Sequence, residues 1–181
     1  MSELTAECVR SLLHYEPDTG LLFWKERLVS MFKDGKQSAQ HNCAAWNGKC
    51  AGRQAATSIG NHGYPQLGIF GTQCLAHRII WLWMSGSLPR YEIDHVDMCK
   101  TNNKWENLRE ATRSQNEANK SARSALGIKG VWFDHNRGLF QARVTHRGKT
   151  RHIGRFQSLA LAKENVERVA SELHGEFWRA G

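Results

Sequence analysis

The sequence of 181 residues lacks any long hydrophobic run. A helix that crosses a bilayer needs about 20 consecutive apolar residues, and no stretch approaches that length. The N-terminal letters MSELTAECVRSLL also lack the basic start and apolar core of a secretory signal. These absences argue against a membrane protein and predict a cytoplasmic protein with no membrane partner.

Cysteine is too scarce and too scattered for a disulfide framework. There are five cysteines, an odd number, and no two of them form a C-x-x-C pair, so we expect reduced thiols. His41, Cys43 and Cys50 lie close together in the sequence. A structural zinc site needs four ligands at tighter paired spacing, however, and the pattern therefore disfavours zinc.

Acidic side chains are scarce in the second half of the chain. The whole sequence contains 25 Lys+Arg against 17 Asp+Glu, a formal net charge of +8. Residues 1–99 contain 9 basic and 9 acidic side chains, whereas residues 124–181 contain 10 basic and 5 acidic ones. A localised positive excess favours a polyanionic partner such as a nucleic acid.

The spacing of apolar residues predicts the elements of the first half. It predicts a helix over residues 4–15, a strand over 21–24, a hairpin over 63–72 and an apolar helix over 75–84. Residues 33–63 are rich in Gly, Asn, Gln and Ala, a composition that predicts a long loop with little core.

The stretch from residue 92 to residue 120 is polar and rich in asparagine, between two more apolar halves. Such a composition packs poorly unless its polar groups serve a site, so we expect the chemistry here. Its distinctive segments are Glu92-Ile93-Asp94-His95-Val96-Asp97, Lys100-Thr101-Asn102-Asn103, Glu106-Asn107-Leu108-Arg109 and Ser114-Gln115-Asn116.

These segments resemble the HNH endonuclease family. An Asp-His pair, an Asn-Asn turn, an Asn-Leu-Arg step and a Ser-Gln-Asn helix start occur in the order and spacing of that family. The resemblance extends upstream through Ala76-His77-Arg78 and downstream to about Lys120. It implies a ββα-metal core, in which two strands and a helix hold one metal ion.

The resemblance also implies a role for each of four residues. His95 would be the general base, since an imidazole with a pKa of about 6.5 accepts a proton near neutral pH. The amide oxygen of Asn107 would accept the proton on one ring nitrogen and aim the other nitrogen at the attacking water. Asp94 and Asn116 would bind one Mg²⁺ or Mn²⁺ through oxygen atoms, the ligands that these ions prefer.

Neighbouring polar residues are expected to have structural roles. Asn102 and Asn103 would shape the loop between the two strands, and Asp97 would be an acidic residue of that loop. His77 is expected to pack beside Arg78, with contact to DNA as the alternative.

The last third of the chain has strand periodicity followed by helix periodicity. Residues 130–135, 139–145 and 150–156 predict three strands joined by short turns, and residues 158–174 predict an amphipathic helix. Ser158 is placed to cap that helix. In the middle strand, alternation puts Phe140, Ala142 and Val144 on one face and Gln141, Arg143 and Thr145 on the other.

This part of the chain resembles the AP2 DNA-binding domain over about residues 127–178. The resemblance implies a three-stranded sheet that lies in the major groove of DNA, with the helix packed behind it. Trp132 and Arg143 stand where plant-type members often carry arginine and glutamate, so the DNA sequence those members bind is not implied. The resemblance rests on Gly130-Val131-Trp132, Gly138-Leu139-Phe140-Gln141-Ala142-Arg143-Val144, His152-Ile153-Gly154-Arg155-Phe156, Leu159-Ala160-Leu161-Ala162 and Leu173-His174-Gly175-Glu176-Phe177.

The exposed face of this sheet is the predicted DNA contact. Arg143 is the best candidate for a bidentate bond to guanine. The residues predicted to contact DNA are Lys129, Trp132, Arg137, Gln141, Arg143, Thr145, Arg147, Lys149, Arg151 and His152, with Arg113, Lys120 and Arg123 before them.

The predicted fold class is therefore α+β, a ββα-metal (HNH) core followed by a three-stranded antiparallel sheet plus helix (AP2-like). The predicted boundaries are 1–62 for a supporting region, 63–120 for the nuclease core, 121–128 for a basic linker and 129–181 for the DNA-binding domain.

The predicted function is that of a site-directed double-stranded DNA endonuclease of the homing type, the layout of phage-encoded mobile nucleases. It would depend on Mg²⁺ or Mn²⁺, leave a 5′-phosphate and a 3′-hydroxyl, and act as a monomer. One alternative is a catalytically inert or regulatory AP2-type DNA-binding protein. A nuclease acting on structured RNA is another, because a basic surface does not distinguish the two polymers.

Overall fold

The computed structural model describes residues 4–122 and 124–179. The chain divides into two compact units, Met1–Glu110 and Ala111–Gly181, and has the mixed α+β composition expected from the sequence. The division falls upstream of the predicted linker at residues 121–128. The four domain boundaries given above remain predictions.

The first unit, from residue 4 onward, contains three α-helices and small sheets of short strands. Its hydrogen-bonded strand orders are β1-β2, β3-β4-β5 and β6-β7. In chain order the elements are α1 (Ala6–Leu12), β1 (Leu13–Glu16), β2 (Leu21–Trp24), α2 (Ala39–Cys50), β3 (Ser58–Ile59), β4 (Pro65–Ile69), β5 (Thr72–Leu75), α3 (Ala76–Ser85), β6 (Glu92–His95) and β7 (Leu108–Ala111).

The first helix is shorter than predicted, because α1 ends at Leu12 and the chain continues at once into β1. Leu13 and Tyr15 are buried while His14 between them is exposed, an alternation that suits a strand. The turn closes where the N–H of Gly20 donates to the Glu16 carbonyl over 2.9 Å. The predicted helix over residues 4–15 is therefore wrong beyond residue 12, whereas the predicted strand at 21–24 is confirmed as β2.

The loop predicted over residues 33–63 is also wrong, since it contains the twelve-residue helix α2. Ser38 caps this helix by accepting from the His41 N–H over 3.2 Å. Only Cys43 is buried, and its Sγ lies 3.2 Å from the Arg27 carbonyl. The helix lacks the apolar periodicity by which most surface helices are recognised. It is stabilised instead by its N-terminal cap and by side-chain contacts.

The core of the first unit forms where α1 packs against α3. Val9 of α1 and Ile79 and Ile80 of α3 are fully buried there, beneath the confirmed β4-β5 hairpin. Trp83 of α3 donates its indole N–H to the Leu13 carbonyl over 3.1 Å, which fixes the β1-β2 hairpin to this core.

The second unit contains α4 (Arg113–Asn119), β8 (Val131–Asp134), β9 (Leu139–His146), β10 (Lys149–Phe156) and α5 (Leu159–His174). The sheet is antiparallel in the order β10-β9-β8, and α5 packs on β9. Three strands followed by a helix were predicted here, and all four elements are confirmed within a residue or two. Ser158 caps α5, as expected, by accepting from the Leu161 N–H over 3.2 Å.

Side-chain alternation in β9 follows the prediction. Ala142 and Val144 are buried against Val166 and Val169 of α5, while Arg143 and Thr145 are exposed. The turn between β9 and β10 consists of Arg147 and Gly148, both with positive φ, the conformation of a tight two-residue hairpin. One face of the sheet packs on the helix and the other is available for contacts.

No helix within residues 4–122 and 124–179 combines the length and the apolar character that a membrane crossing requires.

We expect Val166→Ala to destabilise the protein by about 2 kcal/mol, because the second core is small and the lost methyl groups leave a cavity. Val166 is fully buried, whereas Leu161 of the same helix is 49% exposed. Urea unfolding measures the change, and Leu161→Ala is the matched control, expected to shift stability by less than about 0.5 kcal/mol. Equal losses in the two variants would contradict this packing.

Candidate active site

The predicted catalytic Asp-His pair lies at the end of β6. Successive residues of a strand point to opposite sides, so Asp94 and His95 face different surroundings. Both are buried, with 5% of Asp94 and 4% of His95 exposed. Buried polar side chains need hydrogen-bond partners, and those partners define the geometry of the site.

His95 is oriented by Asn103. Its Nε2 lies 3.0 Å from Oδ1 of Asn103, which is itself only 4% exposed. From the sequence, this contact is expected of Asn107, and Asn103 is expected to shape the loop. The contact expected of Asn107 is thus made by Asn103, because the amide oxygen of Asn107 accepts instead from the Asp97 backbone N–H over 3.0 Å.

Asn107 holds the loop between β6 and β7 in shape. Its side-chain N–H groups donate to Oδ1 of Asp97 over 2.9 Å and to the Asn102 carbonyl over 2.7 Å. Asn102 donates to the other oxygen of Asp97 over 2.7 Å. Although burial opposes the shift, these hydrogen bonds and one from the Cys99 backbone hold the pKa of Asp97 below its usual range. Asp97 is the acceptor around which the loop closes.

Asp94 forms an ion pair with Arg109 of β7. The guanidinium places its Nε 3.0 Å and one terminal nitrogen 2.9 Å from Oδ2 of Asp94. Arg109 belongs to the Asn-Leu-Arg step of the motif, for which the sequence predicts no role. The neighbouring positions of β6 and β7 in one sheet were the signal that could have paired these residues.

His77 of α3 packs against His95. The two ring centroids lie 5.3 Å apart at nearly a right angle, and Tyr64 lies against both rings. Burial, with the nearby His95 and Arg78, lowers the pKa of His77 to about 3. His77 is therefore neutral at pH 7 and buried, as expected for a packing residue.

Asn116 lies on α4, in the second unit. This helix begins with a capping box, in which Thr112 and Gln115 satisfy one another's backbone N–H groups. The carboxylate of Asp94 and the amide of Asn116 both offer hard oxygen atoms, a donor set that fits Mg²⁺ or Mn²⁺. Their joint role as metal ligands remains a prediction.

Asp134 occupies part of the predicted DNA contact. It accepts from Gln141 over 2.6 Å and from Arg137 over 3.1 Å, and lies at the end of β8. Arg143 stacks over the ring of Trp132, 4.8 Å from its centroid. Arg137 and Gln141 are thus already hydrogen-bonded to Asp134. Arg143 and Trp132 are stacked on each other.

Lys129 is engaged inside the second unit. Its Nζ donates to the Ala118 carbonyl over 2.6 Å and lies 4.6 Å from the centroid of the Trp178 ring. Burial, assisted by the charge of Arg179, lowers the pKa of Lys129 to about 8. Lys129 is therefore a structural cation rather than an exposed one.

The remaining predicted contacts differ in accessibility. Lys120 forms an ion pair with Glu117, the Arg147 backbone N–H donates to Ser114, and Arg113 lines a cleft of about 590 Å³. Arg123 lies outside the described residues. Of the predicted DNA-contact residues, those exposed on the strands of the sheet are Arg143, Thr145, Lys149, Arg151 and His152.

Comparison with known proteins shows which family the first site resembles. Residues 74–118 match the HNH endonuclease family, so this segment is similar to an HNH endonuclease domain. Nucleases with this domain generally use a divalent metal ion.

A curated relative agrees with this identification. It is an uncharacterized HNH endonuclease of Acanthamoeba polyphaga mimivirus, 33% identical to the chain over 121 residues. The match covers 66% of this chain and 63% of the relative, so the chain spans less than two thirds of the relative's length. No solved structure matches the chain significantly.

We expect Arg109→Met to destabilise the protein by about 3 kcal/mol, because it leaves the buried charge of Asp94 without its partner. Adding Asp94→Asn to that variant should recover most of the loss, since the charge is then gone. Urea unfolding in the presence of a chelator measures both effects without interference from metal. If the losses of the two single variants simply add, the ion pair contributes nothing.

Proposed function

We propose that this protein is a metal-dependent, site-directed double-stranded DNA endonuclease of the homing type. The observation that carries the proposal is the buried His95, whose Nε2 is held by Asn103 and which directly follows the buried Asp94, inside the segment that matches the HNH endonuclease family. A buried imidazole in a fixed orientation suits a general base.

His95 would accept a proton from water at Nδ1, because its Nε2 is bonded to the Asn103 oxygen. The water oxygen then attacks phosphorus, the bond from phosphorus to the 3′ oxygen breaks, and that oxygen gains a proton. The products are a 5′-phosphate and a 3′-hydroxyl. A monomer with one such centre cuts one strand at a time.

Asp94 and Asn116 would hold the divalent ion through their oxygens. When bound, Mg²⁺ or Mn²⁺ supplies positive charge to the phosphate and to the leaving oxygen. Arg109 fixes the carboxylate of Asp94 and shares one of its oxygens. The carboxylate is therefore oriented by the protein itself.

The second unit would be an AP2-like targeting module. Three antiparallel strands with a helix behind them support this proposal, as does the exposed basic face of the sheet. Lys149 and Arg151 of β10 would contact phosphates, whereas Arg143, stacked on Trp132, would contact a base edge. A phage or other viral source and action in the host cytoplasm would be consistent with the viral relative.

We expect His95→Ala to lower the rate of DNA cleavage at least about 100-fold, because the base is removed. DNA affinity should be nearly unchanged, since His95 is buried and contributes no exposed charge. Plasmid cleavage with Mg²⁺ and a gel-shift assay measure the two quantities. His41→Ala is the matched control, because His41 is exposed on α2, outside the elements that hold His95. Cleavage retained by His95→Ala would remove the assignment of the base.

Removal of the metal gives a second test of the reaction. We expect a chelator to abolish cleavage by the wild-type protein, and added Mg²⁺ or Mn²⁺ to restore it. Gel analysis of a plasmid substrate measures the recovery. Full activity in excess chelator would contradict metal dependence.

The double variant Lys149→Ala/Arg151→Ala should weaken DNA binding and reduce its salt dependence. Loss of two phosphate contacts lowers the slope of log affinity against log salt by about 2. Titrations at several salt concentrations, in the His95→Ala background to prevent cleavage, measure that slope. Arg168→Ala on α5 is the control, because Arg168 pairs with Glu172 on the helix. An unchanged slope would exclude β10 from the DNA contact.

A further inference from the structure

We propose that the N-terminal hairpin β1-β2 is a positioning element of the active site. Through Asn103, it holds His95 in the tautomer that carries its proton on Nε2 and leaves Nδ1 as the basic atom. The inference rests on the proposed nuclease function. The hairpin, residues 13–24, lies outside the matched nuclease domain at 74–118.

The tautomer follows from the chemistry of the Asn103 contact. The amide oxygen Oδ1 of Asn103 is only an acceptor, so the His95 Nε2 at 3.0 Å must be the donor. A neutral imidazole has one donor and one acceptor nitrogen, and the lone pair therefore lies on Nδ1. The opposite tautomer would place two lone pairs against each other in a buried contact.

Tyr15 of β1 holds the residue that makes this contact. Its hydroxyl donates to the Asn103 backbone carbonyl over 2.8 Å, and the whole side chain is 1% exposed. The Tyr15 ring packs edge-on against Trp83, with ring centroids 5.8 Å apart. The Asn103 backbone is thus tied to the core of the first unit through one tyrosine.

The turn of the hairpin contacts the same loop through its backbone. Gly20 has φ of +76°, and a Cβ added to it would lie 2.5 Å from the carbonyl carbon of Asn103 and from the nitrogen of Lys104. The Trp105 N–H also donates to the Pro17 carbonyl over 3.2 Å. Only glycine permits this approach, so the turn and the loop are fitted to each other at backbone level.

These contacts form one continuous series from hairpin to base. Tyr15 and Gly20 fix the backbone of Asn103, the side chain of Asn103 fixes the ring of His95, and the ring presents Nδ1. Because a proton acceptor must be aimed at the water that it activates, a small rotation of the ring lowers the rate without removing any catalytic group.

The first experiment observes the tautomer directly. Nitrogen-15 NMR of the full chain, labelled at histidine, distinguishes the protonated ring nitrogen, and the spectrum of His95→Ala identifies the signal of His95. We expect the Nε2–H form in the wild-type protein and in Asn103→Asp, which keeps an oxygen acceptor. Asn103→Leu should yield a mixture of the two forms. An Nδ1–H form in the wild-type protein would overturn the inference.

The second experiment tests the hairpin with a minimal change. Tyr15→Phe removes only the hydroxyl, and we expect kcat to fall about 10-fold while KM is unchanged. Tyr91→Phe is the matched control, because Tyr91 is exposed, and it should leave kcat as it is. A Tyr15→Phe enzyme with wild-type kcat and an unchanged NMR signal of His95 would refute the role of the hairpin.

A double-variant comparison distinguishes a loss of kcat caused by mispositioning of His95 from a loss caused by a general change in the structure. Asn103→Leu should lower kcat about 100-fold in the wild-type protein and cause no further loss in His95→Ala, because it acts through that ring. Independent, multiplied losses would show a merely structural role. The tautomer is measured without DNA, so a protein that fails to cleave DNA but shows the Nε2–H form would refute the proposed function alone.

Discussion

A buried polar group must find a hydrogen-bond partner, and this requirement organises the first unit. The loop between β6 and β7 has to bury the side chains of Asn103 and Asn107, while Asp97 beside them stays exposed. Asn107 bonds to Asp97 and to the backbone of Asn102, and Asn103 bonds to His95. Because these hydrogen bonds satisfy the amides of Asn103 and Asn107 together, they favour this conformation of the loop and this orientation of the imidazole.

The residue types of the site could be predicted from the sequence, but their pairing could not. The motif segments contain the Asp-His pair, Arg109 and the four asparagines Asn102, Asn103, Asn107 and Asn116. Asn103 and Asn107 carry the same amide, and the direction of each side chain depends on a loop that the tertiary structure folds. Asn103 owes its place to Tyr15 and Gly20, more than 80 residues earlier in the chain, and no local pattern shows that contact.

The same contrast holds for the fold. Strong periodicity predicted β8 to α5 within a residue or two, because one face of each element is buried in a common core. Helix α2 was missed because caps and contacts with Arg27 stabilise it, with one buried residue in twelve.

Net charge was likewise only a partial guide to the DNA-binding surface. The excess lies in the second half, yet Lys129 and Arg137 are already bonded within the protein, so the charge available to a partner is smaller than the composition suggests.

The ion pair between Asp94 and Arg109 has a consequence for how the protein matures. In small domains whose metal ligands are their main buried charges, the apoprotein is unfolded and the metal completes the structure. Here a residue of the chain neutralises the buried carboxylate before any cation arrives. If Asp94 binds the divalent ion, as we propose, folding and metal uptake would be separate events. A newly synthesised chain would then reach its final shape in a compartment poor in free divalent ions and become active only later.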